Sequence, residues 1–196
     1  MRAEGTCDPA FAPLREAFEA ALASGEETGA AVAVVVDGRL AVDLRGGDAG
    51  GRPWAADTLA CGFSVTKGWA ALTALEAIAE GALDPEAPVA ALWPDFAASG
   101  KDRVTVAEAL THRAGLAAPA GVAPGDLYDS ARMTAALAAA APEDAGALVY
   151  HNMTYGHLVG EIVRRATGLA PREAVARLAA RAGAEGEAIL ALPPAA

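Results

Sequence analysis

Ser64 and Lys67 stand three positions apart in the segment FSVTKGW. In a helix that S-x-x-K spacing sets both side chains on one face with their Cβ atoms roughly 5–6 Å apart, so a hydroxyl and an amine can share a proton. An amine becomes a base only where its charged form is disfavoured. Burial, the positive end of a helix dipole and a neighbouring cation each do this. Taken alone the pair is ordinary, since a Ser at a helix start followed by a solvent-facing Lys is common. The setting changes the odds. The chain has two lysines, Lys67 and Lys101, and Lys67 falls one turn after a Ser expected to cap a helix, behind the apolar run Leu59 to Phe63.

The elements that must hold this pair follow from periodicity. Phe11 to Ala23 is expected as an amphipathic helix with Phe11, Leu14, Phe18, Ala21 and Leu22 on one face. Ala30 to Val36 and Leu40 to Leu44 flank Asp37-Gly38, a strong two-residue hairpin signal because Gly accepts positive φ. From Ser64 to about Glu80 the positions Trp69, Leu72, Leu75 and Ile78 recur at helical spacing until Gly81. Thr105 is placed to cap a short helix through His112, and Ser130 one through Ala141. Asn152 or Thr154 opens a helix that runs to Thr167, and Pro171 starts another at its first turn. Ala188 to Leu192 looks strand-like, which leaves two good strands against six helices.

With these segments in place, the chain resembles the serine β-lactamase and penicillin-recognising family, particularly its class C β-lactamases and related carboxylesterases. The resemblance runs in order through GAAVAVVVDGRLAVDLRGG, DTLACGFSVTKGWAALTAL, EGALDPEAPVAALWPDF, VTVAEALTHRAGL and YHNMTYGHLVGEIVRRATG, covering about Phe11 to Pro194. It implies an α+β fold of β-lactamase/transpeptidase type. The expectation is one truncated domain over residues 1–196, with a hairpin at about 30–45, a helical region at about 64–183 and an incomplete antiparallel sheet. The resemblance makes Ser64 the nucleophile and Lys67 its partner. Tyr150, in Tyr150-His151-Asn152, takes the place that S-D-N holds in another class and helps to move the proton. Asn152 and His151 are expected beside the substrate. His151 and His157 read as polar loop and helix-surface residues rather than bases, and His112 as part of a structural turn.

The Tyr-His pair looks more like the esterase branch than the Tyr-Ser-Asn of class C β-lactamases. The resemblance therefore implies acyl hydrolysis of a small ester or amide through an acyl-enzyme. The family's third element, K-T-G or the esterase H-x-G or W-G-G, supplies half the oxyanion hole from a late strand and is not found in these residues. Loss of one oxyanion donor typically costs about 10²–10³ in rate. Two other readings thus stay open: a non-catalytic remnant or binding module of the same fold, and a β-lactamase or D-alanyl-D-alanine carboxypeptidase-like activity.

Composition narrows the partners. At 196 residues, 54% apolar and 20% charged, the chain can bury a sizeable core. A formal charge of −10 argues against nucleic acid, whose binding needs clustered Lys and Arg. No run reaches the ~20 apolar residues of a membrane span, and no signal-peptide pattern opens the chain, so the cytoplasm is expected. Cys7 and Cys61 are too few for a disulfide framework and lack zinc-ligand neighbours. No metal or cofactor is implied. Absence of G-x-S-x-G, Walker A and H-E-x-x-H disfavours an α/β-hydrolase, a P-loop protein and a zinc peptidase. Asp95 and Asp102 are read as solvated loop residues. The open sheet edge invites self-association.

Overall fold

The computed structural model describes residues 2–190, which form two compact units, residues 2–60 and 61–190.

In the first unit β1 (Glu4–Cys7), α1 (Ala12–Ser24), β2 (Gly29–Val36) and β3 (Arg39–Gly47) make a three-stranded antiparallel sheet with one helix. The expected hairpin is present, and Asp37 and Gly38 both take positive φ, as its two-residue turn requires. The sheet differs from a bare hairpin by β1, which pairs with β3 and leaves β3 central. Four residues, EGTC, carry too little apolar alternation to be read as a strand in isolation; pairing with β3 orders them. Ala41, Val42 and Leu44 of β3 are buried, and Leu22 of α1 packs at Gly46 and Gly47. A Cβ at Gly47 would strike the Thr28 carbonyl and the Gly29 Cα within 2.5 Å, so the end of β3 and the start of β2 close together only because glycine stands there. A register shift between Val34 and Val35 leaves Val35 and Val36 exposed at the edge.

The second unit is helical: α2 (Thr66–Ala79), α3 (Val106–Leu110), α4 (Ser130–Ala139), α5 (Tyr155–Thr167) and α6 (Pro171–Arg181). Its core gathers Trp93, Phe96, Val106, Leu116, Leu137, Leu158 and Ile162. α5 has the sharpest division of faces, burying Tyr155, Leu158, Val159, Ile162 and Val163, and it ends at Gly168 in the left-handed conformation. α2 packs on α5 and α6 through the small residues Thr73, Ala74 and Ala77, while Leu72 and Leu75 remain exposed. Glu76 of α2 and Glu80, which caps its C-terminus, bind Arg177 and Arg181 of α6 in four ion pairs of 2.6–3.0 Å.

Caps depart from expectation in informative ways. Thr105 caps α3 in a full capping box with Glu108, as its sequence spacing predicts. α4 is capped by Asp129, whose carboxylate accepts from the Arg132 N–H, and not by Ser130. Both residues favour that role, and the chain turns one residue earlier. At the other end of α4 stands Lys101, fully buried, whose ammonium donates to the carbonyls of Ala98 (2.8 Å), Ala138 (3.0 Å) and Ala140. It satisfies helix-end carbonyls that have no partner within the helix. Ala188 to Leu190 form no strand, and the rest of that expected strand lies outside the described residues. No helix among the described residues is long and apolar enough to cross a membrane.

Candidate active site

Ser64 sits in a single 3-10 turn, Phe63–Val65, that runs directly into α2. Its side chain does not cap the helix, contrary to expectation; the hydroxyl accepts a hydrogen bond from the Lys67 ammonium at 3.1 Å. The turn is strained at Phe63, whose φ of 41° is a conformation that a bulky side chain rarely adopts. Such a residue costs on the order of 1–3 kcal/mol and persists only where the surroundings enforce it. The outcome is an exposed Ser64 hydroxyl above a half-buried Lys67.

Tyr150 arrives from a separate part of the chain. The Lys67 ammonium lies 5.0 Å from its ring centroid, within the range of a cation–π contact. Hydrogen bonding toward Ser64, and next toward Lys67, draws the Tyr150 phenol below its ordinary pKa of 10.0, because both favour the phenolate. The three side chains named from the sequence as chemical therefore meet in space. Asn152 borders the same recess as Ser64 and Lys67.

His151 does not join them. It is fully buried: its Nε2 accepts from the Leu116 N–H (3.0 Å) and its Nδ1 donates to the Val149 carbonyl (2.6 Å). With both ring nitrogens occupied, it has no polar atom left for a substrate, and its reading as a polar, substrate-contacting loop residue is corrected. It acts instead as internal scaffolding. His157 is half-buried against the Leu127 carbonyl rather than free on the helix surface.

The scaffold converges on the turn after α3. The His112 carbonyl accepts from Val149 N–H and its Nδ1 from His151 N–H, both at 3.0 Å. Its ring lies 4.9 Å from that of Tyr150 and 4.5 Å from that of Tyr155. Thr154 donates to the Leu116 carbonyl at 2.8 Å, and Tyr155 to the Leu110 carbonyl at 3.2 Å. The segment 149–155 is thereby stitched to 110–116 on both sides of Tyr150. Burial, followed by the charges of His151 and Lys67, lowers the His112 pKa, so the ring is held neutral as an acceptor. Among the described residues no three His, Cys, Asp or Glu side chains gather to hold a metal ion.

The Beta-lactamase family model matches residues 14–184. The chain belongs to the beta-lactamase family. Within it, the chain is 39% identical over 171 residues to the Esterase/beta-lactamase LipL of Mycobacterium tuberculosis (strain ATCC 25618 / H37Rv), a match spanning 85% of this chain and 40% of LipL. Among solved beta-lactamase-like structures it is 43% identical to a family VIII carboxylesterase, with a TM-score of 0.80 over 90% of this chain and 50% of the other. A penicillin-binding protein homolog from Caulobacter crescentus is 41% identical, with a TM-score of 0.82 over 92% of this chain and 49% of its own. The chain thus spans half or less of the length of each of these beta-lactamase-family relatives.

The sequence reading passed over Phe63 and the glycines of α5. Phe63 carries no signal of its strain in residue type. Gly156 and Gly160 do carry one, since two glycines four apart in a helix cost roughly 1 kcal/mol each and imply close packing or open space on that face.

Proposed function

We propose that the chain carries the nucleophilic centre of an acyl-transferring serine hydrolase acting on small esters. Ser64 Oγ forms a bond to the carbonyl carbon of the ester as its proton passes to the Tyr150 oxygen, whose anionic form the Lys67 cation favours. The tetrahedral intermediate collapses, the C–O bond to the alcohol breaks, and the departing alkoxide takes the proton back from Tyr150. Water then repeats the sequence on the acyl-enzyme, releasing the acid and restoring Ser64. The Ser64 backbone N–H, in the first turn before α2, supplies one donor to the developing oxyanion.

The observation that carries this reading is the 3.1 Å contact between Lys67 and Ser64, with Tyr150 over the same ammonium. Similarity to a family VIII carboxylesterase and to an esterase/beta-lactamase supports acyl hydrolysis, and the Tyr150-His151 pair favours an ester over a β-lactam. The decisive experiment is treatment of the chain with a fluorophosphonate, followed by peptide mass mapping. Adduct at Ser64, lost in Lys67→Met, is expected; an unmodified Ser64 overturns the reading. The second reading, a binding module of the same fold without turnover, predicts that unmodified Ser64.

A further inference from the structure

A recess of 510 Å³ opens beside Ser64 and Lys67 and runs between α2, α5 and α6. Away from those two side chains it is mostly apolar, walled by Ala70, Met153, Val163, Pro171 and Val175. Its size falls within the ~300–1,000 Å³ of small-molecule sites. An apolar hollow continuous with a nucleophile fits the part of an ester that has no polar atoms.

The α5 glycines divide the labour along one side. A Cβ at Gly160 would lie 2.9 Å from Pro171 Cγ, so this glycine lets α6 approach α5. A Cβ at Gly156 would meet nothing within 4 Å, and Gly156, like Gly160, lines both this recess and a second one of 330 Å³. Nothing in helix packing requires glycine there, and an alanine would favour the helix. Its absent side chain instead leaves the hollow deep.

We propose that this recess binds the acyl chain of the substrate, selecting straight alkanoyl over acetyl groups, and that Gly156 sets the length of chain accepted. The inference rests on the acyl-transfer reading of Ser64. Each buried methylene is worth ~0.8 kcal/mol, about fourfold, so four added methylenes raise kcat/KM by on the order of 10².

The test compares 4-nitrophenyl acetate with 4-nitrophenyl hexanoate on the full chain and on Gly156→Leu, a substitution that suits a helix and has room for its Cβ. The hexanoate-to-acetate ratio of kcat/KM should be on the order of 10² and fall at least tenfold in Gly156→Leu; a flat ratio, or one that the variant leaves unmoved, overturns the inference. Binding of sodium hexanoate, followed through the methyl resonances of Val163 and Val175, separates the two readings. If no ester turns over yet hexanoate binds and Gly156→Leu abolishes that binding, the recess stands and the reaction falls. If neither turnover nor binding is seen, the recess falls as well.

Discussion

The backbone N–H of His151 donates to Nδ1 of His112 at 3.0 Å, which ties the residue after Tyr150 to the turn that closes α3. Tyr150 itself is half-exposed and has little packing of its own, so its place beside Lys67 depends on neighbours that are fixed from elsewhere. His112→Gly keeps a residue that adopts the φ of 63° at this position but removes the ring and its acceptor. The expected cost is about 1–3 kcal/mol from the unpaired amide, measured by urea denaturation. Fluorophosphonate labelling of Ser64 should slow beyond what the fraction unfolded explains, and equal rates in folded variant and parent would show that Tyr150 holds its place without His112.

Acid should destabilise the chain before its carboxylates begin to titrate. Burial lowers the pKa of His112, His151 and His157 below 6.5, opposed at the last two by donation to the Val149 and Leu127 carbonyls. As pH falls through 6.5 the unfolded chain takes up protons that the folded chain refuses, so stability is full above that value and declines below it. The denaturant midpoint should be lower at pH 5.5 than at pH 7.5. Equal midpoints would refute the burial of neutral imidazoles.

Tyrosinate absorbance offers a direct reading of the site. Tyr150 should ionise below pH 10.0 because Ser64 and Lys67 stabilise its phenolate, whereas Tyr155, desolvated in the core, should ionise above it. Replacing Lys67 by Met removes the cation and should move the first ionisation upward. An unshifted titration curve in that variant would place Tyr150 out of reach of Lys67.

Lys101→Met should be more damaging to the fold than Lys67→Met. The first strands the Ala138 and Ala140 carbonyls at the end of α4, at about 1–3 kcal/mol for a buried acceptor left without a donor, while Ala98 keeps the Lys101 backbone N–H. The second removes a half-buried side chain with one hydroxyl partner. Thermal melting of the two variants checks the order, and the reverse ranking would contradict the carbonyl cage.

How far the chain could be read without coordinates depended on whether the signal was local. The hairpin turn at Asp37-Gly38, the capping box at Thr105 and the S-x-x-K turn each rest on residues within a few positions of one another, and spacing alone expresses them. The strand β1 is not local, because residues 4–7 are ordered by β3 nearly forty positions away. His151 was legible as a neighbour of Tyr150 but not as a buried residue, because its burial comes from Leu116 and His112, which arrive from another part of the chain. The gathering of Ser64, Lys67 and Tyr150 was expected only through family resemblance, since no periodicity links positions eighty-odd residues apart. The recess between α2, α5 and α6 was absent from that reading because empty space has no residue type, although Gly156 marks its edge.

The enclosure of Lys101 has a practical corollary for handling the molecule. Of the two lysine side chains in the sequence, one is sealed among backbone carbonyls and the other borders Ser64. An acylating dye or a resin aimed at side-chain amines is therefore steered onto the candidate centre itself, where attachment would report on, and block, the groups of interest.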